Sequence, residues 1–167
     1  MRAVEQEKIM AWWGRLLGLG LAVWLFCLAP AGAEDFNKRS LIGMNFAGQD
    51  LTDASFVKAV LRQTNFQGTD LRGVSFFGAN LDQANLAGAN LTGATLDTAL
   101  MTHTNLTNAI LTSAYAYLTN FSGADITGAD FTDVGLRRDA QLLLCERARG
   151  VNPVTGVATR ESLGCRS

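Results

Sequence analysis

One histidine, three cysteines and fifteen scattered carboxylates are the groups from which this chain of 167 residues would have to build a reactive centre. His103 has no cysteine and no acidic cluster beside it in sequence, so it reads as a corner residue rather than a metal ligand or a general base. No Ser/His/Asp arrangement, phosphate-binding loop or glycine-rich dinucleotide motif occurs. No catalytic, cofactor-binding or metal-ligating residue is therefore assigned, and the chain is expected not to be an enzyme. Net charge of −1 gives no general attraction to nucleic acid.

The elements that position these groups follow from a period. The stretch from Ala79 to Thr98, ANLDQANLAGANLTGATLDT, holds five-residue units with Ala first, a small polar residue second and an apolar centre third. Counting in fives from Phe36 to Leu136 gives 21 centres, of which 20 are large and apolar, the exception being Ala116. Two residues before each centre, from Ala54 to Val134, all 17 positions are Ala, Thr or Val. Neither a helix of period 3.6 nor a strand of period 2 keeps a five-residue period on one side. A chain that turns a corner every five residues does, and stacking its turns buries the centres as a solenoid. Such a rod has a filled interior and no cleft for catalysis.

The pattern A-(N/D)-L-x-x resembles the pentapeptide repeat proteins over residues 36 to 136. The resemblance implies an all-β solenoid, a right-handed quadrilateral β-helix of about five coils, with four pentapeptides per coil and both the centre and the preceding small residue pointing inward.

Residues 1–33 lie outside the period. Arg2, Lys8 and Arg15 lead into the apolar run Leu16 to Ala29, followed by Ala31-Gly32-Ala33. A basic leader, an apolar run and an A-x-A site read as a secretory signal cleaved after Ala33. A retained membrane anchor is the alternative, because the run extends toward spanning length if Ala11 to Trp13 are included. Phe26 before Cys27 does not suit lipoprotein processing, and there is no twin-Arg pair.

After Leu136 the period stops. Arg138 to Arg149 reads as a helix with Asp139 in its first turn, Arg147 and Arg149 in its last, and Gly150 ending it. Ala140, Leu143 and Leu144 are expected to cover the open end of the last coil, making residues 137–167 a C-terminal α-helical cap and tail beyond a β-helix of residues 34–136. Loss of the signal leaves Cys145 and Cys165, and an even count in an exported chain favours a disulfide fastening the tail to the cap. Two independent thiols and a redox switch remain the alternatives. The segment RDAQLLLCERARGVNPVTGVATRESLGC resembles the C-terminal extension of the thylakoid-lumen pentapeptide repeat proteins of cyanobacteria and plants. That resemblance implies a protein of the thylakoid lumen or periplasm, the cyanobacterial form being the better match because no plastid-targeting stretch is present.

Residues twenty apart should stack in columns. Asn45, Asn65, Asn85 and Asn105, with Asp125, form one expected ladder. Thr52, Arg72, Thr92, Thr112 and Thr132 form another file, suited to a strand surface. A third face gathers Val57, Phe77, Tyr115, Tyr117 and Leu118, whose outward apolar side chains make the expected protein-interaction face. The expected role is a non-catalytic accessory or scaffold protein for photosynthetic membrane complexes, binding another protein without nucleic acid and without stable membrane insertion after signal cleavage. The alternative from another class is a DNA mimic acting on a topoisomerase. Residues 34–136 carry 10 acidic and 5 basic residues, net −5, whereas 137–167 carry 3 acidic and 6 basic, net +3. That charge is weak for a DNA mimic, and an exported chain is in the wrong compartment.

Overall fold

In the computed structural model, which describes residues 34–166, the period of five becomes a stack of square coils. The signal or anchor read for residues 1–33, with Cys27, lies outside the described residues. Residue pairs exactly twenty apart form parallel bridges in four ladders, one of which climbs Asp35, Ser55, Ser75, Thr95, Tyr115 and Gly135. Each level donates and accepts backbone hydrogen bonds to the next, as in Phe56 N–H to the Ser75 carbonyl at 2.8 Å and Asn80 N–H to the Ala59 carbonyl at 2.9 Å. The ladders are only one residue wide because the chain turns immediately after each.

The corners follow a common recipe. The amide three residues after a centre bonds back to that centre's carbonyl, as in Ala79 to Phe76 at 2.9 Å. The residue two after a centre takes a left-handed conformation at nearly every corner, whether it is Gly or not. Asp53 lies outside that set, and its corner has another shape.

Inside, the centres from Phe56 to Leu111 are fully enclosed, with the small residue before each packed beside them. Phe36, Phe56 and Phe76 stack face to face at 4.9 and 5.1 Å between ring centroids, and Phe46 stacks on Phe66 at 5.2 Å. Where Thr replaces Ala in the small column, its hydroxyl finds a carbonyl one coil earlier: Thr69 to Phe46 at 2.8 Å, Thr104 to Leu81 at 2.9 Å, and Thr119 to Leu96 at 2.7 Å. A buried hydroxyl therefore costs little at these sites, which explains why Thr and Ala interchange there.

The Asn ladder forms in part. Asn65 Nδ2 donates to Asn45 Oδ1 at 3.0 Å and Asn85 Nδ2 to Asn65 Oδ1 at 3.1 Å. At the next level the rung is missing, and Asn105 Oδ1 accepts from both the hydroxyl and the amide of Thr107. The Thr file is likewise turned inward on itself, since Thr52, Thr92 and Thr132 donate to Asp50, Asn90 and Asp130, and Arg72 clasps Asp70.

Beyond the coils, helix α1 spans Arg138–Cys145 and helix α2 spans Thr159–Ser162. The expected helix to Arg149 is cut short: Arg147 reaches back toward the Phe121 and Ala124 carbonyls, and Arg149 toward the Thr127 hydroxyl. Those contacts require the chain to leave the helix. Asn152 is fully buried and ties the tail down, its Nδ2 donating to the carbonyls of Asn108, Ala109 and Gly128, and its Oδ1 accepting from the amides of Val154 and Thr155. Gly128 and Gly150 permit this close approach, because a Cβ on Gly150 would lie 2.9 Å from the Gly128 nitrogen.

Candidate interaction face

The five residues of the expected face are not equivalent. Phe77 (42% exposed), Tyr115 (61%), Tyr117 (58%) and Leu118 (50%) are open to solvent. Val57 stands on the same face but is half-buried. Its amide donates to Asn37 Oδ1 at 2.6 Å, and its short side chain stands in the same column as Asn37 and Phe77, one level from each. The column of Val57 and Phe77 is then interrupted by Asp97, whose Oδ1 accepts the Tyr117 amide at 2.7 Å. Phe77 and Tyr117 are thus two levels apart, roughly 10 Å at the usual strand spacing. Tyr115, Tyr117 and Leu118 form the denser group, around the small centre Ala116.

Leu118 occupies its corner at φ of 61°. A left-handed Leu costs roughly 1–2 kcal/mol relative to a glycine there, and half of this side chain is left in water. Neither backbone preference nor core packing accounts for its identity.

The helix α1 orientation corrects a second expectation. Leu144 is buried, but Leu143 (59% exposed) points outward with Leu142 (54%). Gln141, Leu144, Cys145 and Ala148 form the inward stripe instead, held by the Gln141 Nε2 bond to the Leu163 carbonyl and by Cys145 against Cys165. The Cα atoms of that pair are 5.6 Å apart with the two sulfurs at bonding distance. Leu118, Phe121, Leu143 and Leu144 line a groove between the coil stack and α1, with Arg137 and Arg147 at its sides. The sequence reading does not single out Leu142 as exposed. Its signal is the i, i+3, i+4 spacing of Gln141, Leu144 and Cys145, visible only once Cys145 is known to face inward.

His103 stands at a corner with φ of 53°, its Nδ1 3.6 Å from Asp82 Oδ1 and its side chain largely exposed. Asp82 is held below its ordinary carboxylate range first by the Thr102 hydroxyl, then by Gln83, His103 and Arg62. Asp70 is lowered chiefly by the Arg72 guanidinium, and Asp125 by the hydroxyl and amide of Thr127. Burial pushes Asp130 up, but the Thr132 hydroxyl and amide, with help from Thr155, outweigh it and leave the carboxyl below its usual value. These carboxylates lock corners. Among the described residues no group of His, Cys, Asp and Glu is placed to hold a metal ion.

The family model for pentapeptide repeats matches eight copies over residues 40–78, 69–112 and 96–133. The chain belongs to the pentapeptide repeat family. As a pentapeptide repeat protein it shares the quadrilateral β-helix of its structural neighbours. A crystal structure of a pentapeptide repeat protein from the Arabidopsis thaliana thylakoid lumen is 47% identical, with a TM-score of 0.78, covering 79% of this chain and 92% of that one. Thylakoid lumenal 15 kDa protein 1, chloroplastic, of Arabidopsis thaliana is 60% identical over 47 residues, 28% of this chain and 21% of that protein. Thylakoid lumenal protein TL20.3, chloroplastic, of the same plant is 50% identical over 46 residues, 28% of this chain and 16% of that protein. The chain therefore spans about a fifth of the length of the curated relatives it matches. The periplasmic alternative finds no support among these relatives.

Proposed function

We propose that this chain is a non-catalytic accessory protein of the thylakoid lumen that binds another protein through the face bearing Phe77, Tyr115, Tyr117 and Leu118, serving photosynthetic membrane complexes as a scaffold. The observation that carries this reading is Leu118, a large apolar side chain kept in water on a strained corner beside two exposed tyrosines. Rigid, exposed aromatics lose little side-chain entropy on binding and are favoured anchors of protein interfaces. The lumenal assignment rests on what the relatives are, and it agrees with a signal over residues 1–33. The C-terminal segment closes the last of five coils, and a Cys145–Cys165 disulfide fastens its tail, a bond compatible with an exported protein.

Affinity capture from the protein's own membranes, with Phe77→Ser/Tyr117→Ser as the control, tests the reading. A protein retained by the native chain and lost by the folded double variant is the expected outcome. Identical co-purification by both would remove the face from consideration.

A further inference from the structure

The charged ends of this molecule differ. The repeat segment carries net −5, and the C-terminal 31 residues carry net +3. At that basic end Leu142 and Leu143 are both exposed on α1, beginning one turn beyond Arg138, with Leu143 at the groove toward the coil stack. Leu118 lines the same groove as Leu143 and continues the apolar surface onto the coil stack. Arg137 is paired with Asp139 at 3.0 Å, whereas Arg138 and Arg147 have no carboxylate partner among the described residues. Glu146 is the other acidic group on the exposed side of this end, and Glu161 lies on α2.

We propose that this end docks peripherally on an anionic lipid surface, with Leu142, Leu143 and Leu118 entering the headgroup boundary and Arg138, Arg147 and Arg137 meeting lipid phosphates or sulfonates. The charge complementarity is vectorial. A rod with an acidic body and a basic tip is turned tip-first by a negative surface, while its body is repelled. The exposed leucines then supply the short-range contact that charge alone does not, as in interfacial helices whose basic residues flank an apolar edge. Among the described residues no helix is long and apolar enough to cross a membrane, so the contact is one of surface docking. It meets the proposed protein face only at Leu118, while Leu142 and Leu143 stand on α1, away from the Phe77 and Tyr117 column along the body of the rod.

The test uses the exported, processed protein. All three tryptophans, Trp12, Trp13 and Trp24, precede Ala33, so Leu143→Trp places a single tryptophan in the processed chain and Gln67→Trp places one on the opposite face. The probe is phosphatidylcholine vesicles containing about a third phosphatidylglycerol, against pure phosphatidylcholine. Expected are a blue shift for Leu143→Trp and none for Gln67→Trp, with co-sedimentation that weakens as salt rises. Leu142→Ser/Leu143→Ser should lower the partition coefficient about tenfold, the direction expected when apolar contact with the lipid boundary is removed. Arg138→Gln/Arg147→Gln should lower it and flatten the salt dependence, with thermal melting checked because Arg147 touches the coil carbonyls. Equal binding to neutral vesicles, no binding at all, or binding indifferent to the two leucines would each overturn the proposal. So would a result in which these leucines matter only for capturing a protein.

Discussion

Leu91→Ala is the substitution that most sharply separates an inward centre from an outward neighbour. Leu91 is fully buried in the middle of the stack, with Leu71 and Leu111 in its column and both enclosed. The ladders hold neighbouring levels at fixed spacing, since the Leu91 amide bonds the Ile110 carbonyl and the Leu71 amide bonds the Asn90 carbonyl at 2.8 Å. The coils therefore have little freedom to collapse into the cavity. A cost of about 3 kcal/mol, within the usual range of about 2–5 for a buried Leu→Ala, follows. For a folded unit of this size that corresponds to a fall in melting temperature of roughly 10 °C. Thr92→Ala, one position outward, loses only the hydroxyl bond to Asn90 Oδ1, worth about 1 kcal/mol and roughly 3–5 °C. Paired thermal melts by circular dichroism measure the difference. Equal shifts for the two variants would refute the inward placement of the centres and, with it, the coil geometry.

Other outcomes follow from the tail and the corners. Asn152→Ala leaves the Gly128 and Asn108 carbonyls without a partner, while the Ala109 carbonyl keeps the Asp130 amide; at about 1–3 kcal/mol for a stranded buried carbonyl, hydrogen exchange should accelerate over residues 150–166 while the middle coils stay protected. Intact mass with and without reductant before alkylation should show Cys145 and Cys165 alkylated only after reduction, and Cys165→Ser should expose the tail to protease. The carboxyls of Asp70, Asp82, Asp125 and Asp130 are lowered in the folded chain, so the stability they contribute is complete above the unfolded value near 3.8 and is lost as pH falls through their folded values. Melting temperature should be insensitive to these groups between pH 7 and about 5 and decline below about 4. Thr132→Val, which removes one of the bonds holding Asp130 down, brings its folded value closer to the unfolded one and should make that decline smaller.

The period of five makes the coil legible from sequence, because each centre must face inward for the stack to close. Leu91 and its column could be placed by counting alone. Val57 could not, since its exposure depends on Phe77 and Asn37 one level to either side rather than on its own repeat position. The Asn ladder ends at Asn85: the Asn105 side chain is fixed at its Oδ1 by both the amide and the hydroxyl of Thr107 and its Nδ2 makes no bond to Asn85 Oδ1, whereas Asn45, Asn65 and Asn85 are followed by Ala47, Gln67 and Ala87 and accept only a backbone amide there; beyond Asn105, Asp125 has no side-chain amide to donate. The rotation of α1 was beyond sequence reasoning for a similar cause. Three consecutive leucines fit more than one inward stripe, and only the tail packed under Gln141 and Cys145 selects Leu144.

The central claim, that the Tyr117 face meets a protein partner, is tested most directly by site-specific photocrosslinking in cells that produce the full chain. A photoreactive side chain at position 117 should give a discrete protein adduct, and one at position 67 on the opposite face should give none. No adduct from position 117, or the same adducts from both positions, would contradict the account.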